Sequence, residues 1–170
     1  MDKNIYLIGF MGAGKSTVAS ALSELTGSPV MEMDEVIAKR AGMSIPEIFR
    51  AKGEDAFRQM ETGLLRELSL EGASPAIVSC GGGAALKDEN VSLMKSGGMI
   101  VLLSVKPETV LERISGDANR PVLAACKTPE DVKALMEMRL PYYEKAAHFV
   151  VAVDDRTPGE IAAEILALLS

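Results

Sequence analysis

The stretch that decides the fold is GFMGAGKST, residues 9–17, which joins a short β-rich segment to a helical one. Gly9 and Gly14 bracket four residues and are followed by Lys15 and Ser16, which is the P-loop pattern in its strand–loop–helix setting. Glycines let backbone N–H groups turn inward around phosphate oxygens, and the helix N-terminus adds a positive dipole. The pattern therefore predicts a phosphate-binding loop.

The P-loop residues predicted to bind a nucleotide have separate tasks. Lys15 can reach the β- and γ-phosphates, and the Ser16 hydroxyl can occupy a Mg²⁺ coordination position. A GTPase would also need the guanine-reading pattern Asn-Lys-x-Asp, which the chain lacks. The predicted nucleotide-binding residues of the loop are Gly12, Ala13, Gly14, Lys15, Ser16 and Thr17.

Length and charge limit the class of protein. A chain of 170 residues with 48% hydrophobic residues predicts one domain, 1–170, with a substantial core. A net charge of −6 argues against a nucleic-acid or anionic-membrane surface, because both need an excess of Lys and Arg. The longest apolar run, MIVLL at 99–103, is far too short to span a bilayer. We expect a cytoplasmic monomer that acts on small molecules.

Five short β-rich segments predict the strands, and helical patterns separate them. This alternation predicts an α/β fold with a five-stranded parallel sheet flanked by helices. Residues 34–75 and 106–147 are each long enough for two or more helical segments, so we expect them to carry substrate-specific parts and a lid. The strand segments are NIYLIGF from 4, SPVMEM from 28, AIVSC from 76, MIVLLSV from 99 and HFVVAV from 148.

Capping chemistry marks several helix starts. Ser44 and Glu47 form a capping-box pattern. Pro107, Pro129 and Pro158 stand where a first helical turn accepts proline, and a Glu follows each closely.

Arginines in the two long insertions suggest a pocket for anions. Arg58, Arg120 and Arg139 lie beside aromatic residues and prolines in a chain that is acidic overall. Any one of them could lie on a solvated helix face, but three guanidinium groups suit carboxylate or phosphate recognition.

The sequence resembles the shikimate kinases along nearly its whole length. After the P-loop, five further segments resemble segments of that family and occur in the same order. The resemblance implies a P-loop kinase fold, ATP as co-substrate, Mg²⁺ as cofactor and shikimate as acceptor. The segments that carry it are MDEVI at 33–37, GEDAFRQME at 53–61, SCGGG at 79–83, RPVL at 120–123 and RLPYYEKAA at 139–147.

The resemblance also implies roles on the acceptor side. Asp34 is similar to the carboxylate that binds the substrate's hydroxyls and orients the attacking oxygen, which makes it a candidate catalytic residue. Arg58 and Arg139 resemble the pair that holds the substrate carboxylate. Gly81 and Gly82 follow a strand at the carboxyl edge of the sheet, where glycine lets the backbone approach a small polar ring.

On the donor side, Arg120 resembles the lid arginine that closes over the transferred phosphate, and with Lys15 it completes the candidate catalytic set. Arg113 and Arg156 resemble residues of the adenine side, Arg156 within DDRTP at 154–158. For the metal, the family pattern implies Ser16 as a direct ligand, with Glu32 and Ser79 acting through water.

Two residues depart from the family pattern. Glu32 stands where the family has Asp, so its carboxylate lies one methylene further from the backbone. Cys80 replaces a threonine and is either a neutral replacement or a partly exposed thiol near the site. Cys80 and Cys126 show no metal-ligand spacing, and from composition both are expected to be small apolar residues.

Four further residues can be given an expected place or role. Phe49 and Phe57 either line the substrate pocket or belong to the core. Glu61 resembles the acid that pairs with Arg58 and fixes its rotamer. The single histidine, His148, begins a strand and is predicted to be structural.

We therefore expect transfer of the γ-phosphoryl group of ATP to the 3-hydroxyl of shikimate, which the resemblance places on the route to chorismate and aromatic amino acids. A kinase of another hydroxy acid or of a nucleoside monophosphate would share the P-loop and lid but would have less use for paired arginines. A nucleotide-binding regulatory domain without catalysis is the other alternative.

Overall fold

The computed structural model describes residues 1–114 and 128–170. Its strands are β1 (Asn4–Ile8), β2 (Val30–Glu32), β3 (Ile77–Ser79), β4 (Gly98–Ser104) and β5 (Phe149–Ala152). They form one sheet in the order β2-β3-β1-β4-β5, and each neighbouring pair is parallel. The predicted α/β fold with a five-stranded parallel sheet is confirmed.

Helices connect successive strands on both faces of the sheet. Among the described residues, none of these helices combines the length and apolar character that a membrane crossing requires. The helices are α1 (Lys15–Thr26), α2 (Met33–Ala41), α3 (Ile45–Lys52), α4 (Glu54–Leu68), α5 (Asp88–Gly97), α6 (Pro107–Ile114), α7 (Pro129–Ala146) and α8 (Pro158–Leu169), with a 3₁₀ turn at Ala84–Leu86.

The predicted helix starts are confirmed. The Ser44 hydroxyl accepts the backbone N–H of Glu47, and the Glu47 carboxylate accepts the backbone N–H of Ser44 at 2.8 Å. Pro129 and Pro158 each follow a threonine that forms the same reciprocal box, so their missing N–H groups cost no helical hydrogen bond. Pro107 is the first residue of α6.

The core lies on both faces of the sheet. Tyr6 and Ile8 of β1 belong to a cluster beneath α4 and α7, whereas Leu7 belongs to a second cluster that includes residues of α1 and α8. Alternate residues of a strand point to opposite faces, so a strand buried on both sides is apolar throughout. This explains the short, nearly uninterrupted hydrophobic segments.

Strand register brings the predicted motifs to one edge of the sheet. β3 lies between β1 and β2, and Ser79 at its end pairs with Leu7 and with Glu32. The P-loop, Glu32 and the glycine turn after Ser79 therefore leave the sheet side by side. This carboxyl edge is where open α/β sheets bind ligands.

The described parts of the two long insertions contain helices. Residues 34–75 contain most of α2 together with α3 and α4, and residues 106–147 contain α6 and α7. Arg120, the lid segment around it and Cys126 lie outside the described residues.

His148 has the structural role that was predicted. Its Nδ1 accepts the backbone N–H of Ile100 at 2.9 Å, and its own backbone N–H donates to the Ile100 carbonyl at 2.8 Å. Burial lowers the pKa of the imidazole, which suits a neutral acceptor. The histidine thereby continues the pairing of β4 and β5.

One polar side chain in the core joins three elements. Asn4 is 4% exposed, and its Nδ2 donates to Tyr6 Oη and to the Leu68 carbonyl, both at 3.0 Å. Its Oδ1 accepts the backbone N–H of Ala76 at 2.8 Å. The start of β1, the end of α4 and the residue before β3 are thus held by one amide.

Replacing Asn4 with Ala should lower the free energy of unfolding by about 2–4 kcal/mol, because buried partners lose their hydrogen bonds. Urea denaturation monitored by circular dichroism measures this change. Lys3→Ala at the exposed neighbouring position is the matched control and should stay within about 0.5 kcal/mol of wild type. Equal stability of the two variants would contradict the assignment.

Candidate active site

The P-loop depends on glycine at positions where another residue would collide or be strained. Gly9 has φ 148°, and a Cβ there would lie 2.8 Å from the Leu103 carbonyl oxygen of β4. Gly12 and Gly14 have φ 81° and 89°, and Gly14 caps the N-terminus of α1. The loop is therefore pressed against the sheet and opens onto a helix N-terminus.

Lys15 lies folded over this loop. Its Nζ donates to the carbonyl oxygens of Gly9 and Phe10 at 2.8 and 3.1 Å. The ammonium group is thus held by the backbone of the loop that the sequence predicted to bind a phosphate.

A cavity of about 220 Å³ opens beside the loop. It brings residues from the ends of β1, β2 and β3 to one place, as the parallel register requires. Its walls carry hydroxyl and carboxylate oxygens together with one ammonium group. The lining residues are Gly12, Gly14, Lys15, Ser16, Thr17, Glu32, Asp34, Ser79, Cys80, Gly81 and Gly82.

The oxygen donors of the cavity fit a hard cation. Ser16, Glu32 and Ser79 supply a hydroxyl, a carboxylate and a second hydroxyl, which are ligands that Mg²⁺ accepts directly or through water. Within 1–114 and 128–170, no group of three or more His, Cys, Asp or Glu side chains could hold a metal ion. A Mg²⁺ ion here would need phosphate oxygens and water to complete its shell.

Arg58 and Glu61 form the ion pair that was predicted. Arg58 Nη1 donates to Glu61 Oε1 at 2.8 Å, and Nη2 donates to Glu54 Oε1 at 3.1 Å. Burial lowers the pKa of Arg58, but the two carboxylates outweigh it and the net pKa is raised. Burial raises the pKa of Glu61, whose side chain is fully enclosed, against the opposing charge of Arg58. The pair fixes the guanidinium group in one orientation.

Arg139 is buried beside the P-loop. It is 4% exposed, and its Cζ lies 5.6 Å from the centroid of the Phe10 ring. Two of its nitrogen atoms, Nε and Nη1, have no hydrogen-bond partner within the part of the chain that the structure describes. Buried donors normally have partners, so this guanidinium group is suited to binding an anion.

The first residue of the triple glycine lies against two acids. A Cβ on Gly81 would be 2.7 Å from Glu61 Oε2 and 3.2 Å from Asp34 Oδ1. Asp34 is exposed in the first turn of α2, where the helix dipole favours a carboxylate. The glycine thus allows both acids to approach the backbone of the turn.

The other two glycines lie against the predicted substrate arginines. A Cβ on Gly82 would be 3.3 Å from Arg139 Nη1, and one on Gly83 would be 2.6 Å from Arg58 Cζ. The turn therefore needs glycine because charged side chains pack on its backbone. Packing of charged side chains is therefore a second reason for glycine in this turn, besides the predicted approach of a substrate ring.

The remaining predicted nucleotide-binding residues lie in different places. Arg113 Nη1 donates to the Gly12 carbonyl at 3.0 Å, so it contacts the P-loop. Arg156 donates to the Ala152 carbonyl at 2.9 Å and pairs with Glu164, and it does not line the cavity.

Cys80 is enclosed, so the alternative of a partly exposed thiol is wrong. The residue is 2% exposed, and its Sγ lies 3.8 Å from the Val78 carbonyl and 3.9 Å from Met94 Sδ. Burial raises the pKa of the thiol well above its ordinary value. Cys80 lines the cavity while its sulfur packs in the core.

Phe49 and Phe57 belong to the core, which was one of their two expected places. Phe57 is 4% exposed, Phe49 packs against the same cluster, and their ring centroids are 5.1 Å apart. Neither ring lines the cavity beside the P-loop.

Known proteins of one family match this chain over nearly its whole length. The protein-family model for shikimate kinase matches residues 11–170. The chain is 41% identical to a shikimate kinase of Dehalococcoides mccartyi over 97% of this chain and 92% of the relative. The chain belongs to the shikimate kinase family. It is also 39% identical to a shikimate kinase of Enterococcus faecalis, over 96% of each chain.

Solved structures agree with the family assignment. Shikimate kinase from Acinetobacter baumannii in complex with shikimate has a TM-score of 0.91 and 36% identity, over 98% of this chain and 92% of that one. Members of the shikimate kinase family are ATP-dependent kinases that phosphorylate a hydroxyl group. The expected enzyme class is therefore confirmed.

Sequence reasoning missed several residues of the site. Tyr143 donates from its hydroxyl to the Gly82 carbonyl at 2.5 Å, and Glu54 is a second partner of Arg58. Met11 packs against Gly82, and Phe10 packs under Arg139. The spacing Arg139–Tyr143 was an available signal, because residues four apart share one face of a helix.

Replacing Gly83 with Ala should displace the Arg58 guanidinium group. We expect a loss of about 1–3 kcal/mol in the free energy of unfolding, as for other overpacked sites, together with reduced kinase activity. Gly63→Ala in α4 is the matched control, since a Cβ there meets nothing within 4 Å, and it should gain up to about 1 kcal/mol. Thermal unfolding and a kinase assay test both, and a Gly83→Ala variant as active and stable as wild type would refute the packing role.

Proposed function

We propose that this chain transfers the γ-phosphoryl group of ATP to the 3-hydroxyl of shikimate, which gives shikimate 3-phosphate and ADP. The observation that carries the proposal is the convergence of a P-loop, a carboxylate and two arginines on one glycine turn. A phosphate donor and a carboxylate-bearing polyol acceptor would meet across this turn. Family membership and the likeness to a shikimate-bound kinase support the same acceptor.

On the donor side, we assign phosphate binding to the P-loop amides and to Lys15. The N-terminus of α1 and the ammonium group offer positive potential where the β- and γ-phosphates would lie. The contact of Arg113 with Gly12 supports its placement next to the nucleotide. Arg120 and Arg156 keep their proposed lid and adenine-side roles on the resemblance alone.

On the acceptor side, we assign the substrate carboxylate to Arg58 and Arg139. Arg139 brings N–H donors that lack partners among the described residues, and Arg58 is held at the same turn by Glu61. Planar guanidinium groups suit bidentate binding of a carboxylate. Gly81 and Gly82 would then present bare backbone to the substrate ring.

Asp34 is the proposed orienting group and proton acceptor. The substrate oxygen forms a bond to the γ-phosphorus, the bond from that phosphorus to the β–γ bridging oxygen breaks, and the hydroxyl proton passes to the Asp34 carboxylate. Phosphoryl transfer needs positioning and charge stabilisation more than covalent chemistry from the protein.

We further propose that the cofactor is Mg²⁺, held by Ser16 directly and by Glu32 and Ser79 through water. The ion would neutralise negative charge on the phosphates. The acidic net charge fits an enzyme of small molecules that does not bind nucleic acid, and we propose a cytoplasmic monomer.

A substrate panel tests the proposed acceptor. ADP formation is measured with shikimate, gluconate, AMP and CMP, each with Mg²⁺ present and omitted. We expect activity with shikimate that requires Mg²⁺. Activity with gluconate, AMP or CMP but not with shikimate would support another small-molecule kinase. ATP binding without phosphoryl transfer to any acceptor would support a regulatory domain.

Two arginine variants of α4, one at the site and one away from it, test the acceptor assignment. Arg58→Ala should raise the KM for shikimate about ten- to a hundredfold, because a charged hydrogen bond contributes about 1.5–3 kcal/mol. Arg66→Ala is the control on the same helix, since Arg66 is exposed and pairs with Glu89.

A Lys15→Ala variant tests the donor side and should reduce turnover more than shikimate binding. A normal shikimate KM in Arg58→Ala, or normal turnover in Lys15→Ala, would contradict the respective role.

A further inference from the structure

The hydroxyl of Tyr143 makes a contact that the proposed chemistry does not use. Tyr143 lies in α7 and is 3% exposed, and its Oη donates to the Gly82 carbonyl at 2.5 Å. A buried aromatic ring fills a core whether or not it carries a hydroxyl. The hydrogen bond to a glycine turn at the site therefore needs its own explanation.

One face of α7 holds Gly82 at two points. Arg139 and Tyr143 are four residues apart, so their side chains lie on the same face of the helix. Arg139 Nη1 lies 3.3 Å from the position of a Cβ on Gly82, and Tyr143 holds the carbonyl of the same residue. The turn and the arginine are thus linked through a single helix.

The hydrogen bond is suited to fixing the position of a flexible backbone. Glycine has more backbone freedom than any other residue, so consecutive glycines need outside contacts to keep one conformation. Burial raises the pKa of Tyr143, while the charge of Arg139 and a side-chain hydrogen bond from it oppose the rise, so the hydroxyl keeps its proton for donation. Asp34 and Glu61 approach the neighbouring Gly81, so a shift of the turn would also disturb the acids.

We propose that Tyr143 is a positioning residue of the acceptor side, whose hydroxyl holds the Gly82 carbonyl so that the glycine turn and Arg139 keep their arrangement. Tyr143 acts through the turn and through its own contact with Arg139, and it does not itself touch the reacting atoms. The kinetic consequence of this role rests on the proposed function, whereas the effect on the turn does not.

The three tyrosines of the chain provide matched controls. Tyr143→Phe removes the hydroxyl and keeps the ring. Tyr142→Phe makes the same change at the preceding residue, which is 50% exposed. Tyr6→Phe removes a fully buried hydroxyl that accepts from Asn4 at 3.0 Å in the core. Comparison of the three separates a role at the site from a role in stability.

Steady-state kinetics give the first readout. We expect Tyr143→Phe to raise the KM for shikimate about three- to tenfold, the effect of one hydrogen bond, with the KM for ATP unchanged. Tyr142→Phe should match wild type, and Tyr6→Phe should lower the melting temperature without a selective change in either KM. An unchanged shikimate KM in Tyr143→Phe, or an equal rise of both KM values, would overturn the proposal.

Hydrogen–deuterium exchange gives a readout that does not depend on the substrate. The Ala84 amide donates to the Gly81 carbonyl at 3.1 Å across this turn, so loss of the tyrosine hydroxyl should speed deuterium uptake in a peptide covering 80–86. Tyr6→Phe should not show this local increase. Unchanged uptake in Tyr143→Phe would overturn the proposal, and it would do so even if wild-type protein failed to phosphorylate shikimate and the proposed function were wrong.

Discussion

The bare backbone of Gly81–Gly83 is the constraint on which the site depends. Charged side chains from α2, α4 and α7 reach this one turn because no Cβ keeps them away. A methyl group at any of the three positions would contact an acid or a guanidinium group. Such close packing lets two arginines and two acids share a small volume around a single short turn.

Sheet register makes that turn face the phosphate-binding loop. Ser79 pairs with Leu7 of β1 on one side and with Glu32 of β2 on the other, so the chain leaves three neighbouring strands at the same edge. Residues that are far apart in sequence thereby line one cavity. The donor and acceptor parts are assembled by strand order alone, and the helical insertions then supply the charges.

Local patterns predicted the elements well because their physical causes are local. Ser44 and Glu47 form the capping box that their spacing indicated, and the P-loop was recognisable for the same reason. The ion pair of α4 was implied by the family resemblance, and its two residues lie one helical turn apart. The long-range contacts of Asn4 and Tyr143 were not predictable, since Leu68 and Ala76 lie 64 and 72 positions from Asn4, and Gly82 lies 61 positions from Tyr143. Cys80 shows a different limit: the sequence left open a small apolar residue and a partly exposed thiol, because a side chain at a strand end can point to either face of the sheet. The structure agrees with the first, since the sulfur packs in the core while the residue borders the cavity.

The unequal partners of the two site arginines indicate how the acceptor side is prepared for an anion. Arg58 is held by Glu61 and Glu54, so its charge is compensated and its orientation fixed. Arg139 is almost fully enclosed, with two nitrogen atoms that lack partners within the described residues. Leaving buried donors unpaired costs stability in the free protein, and a bound carboxylate would recover that cost at the moment of binding. Under the proposed assignment both arginines would bind the carboxylate, Arg58 from an orientation already fixed by its acids and Arg139 with donors that gain partners only on binding.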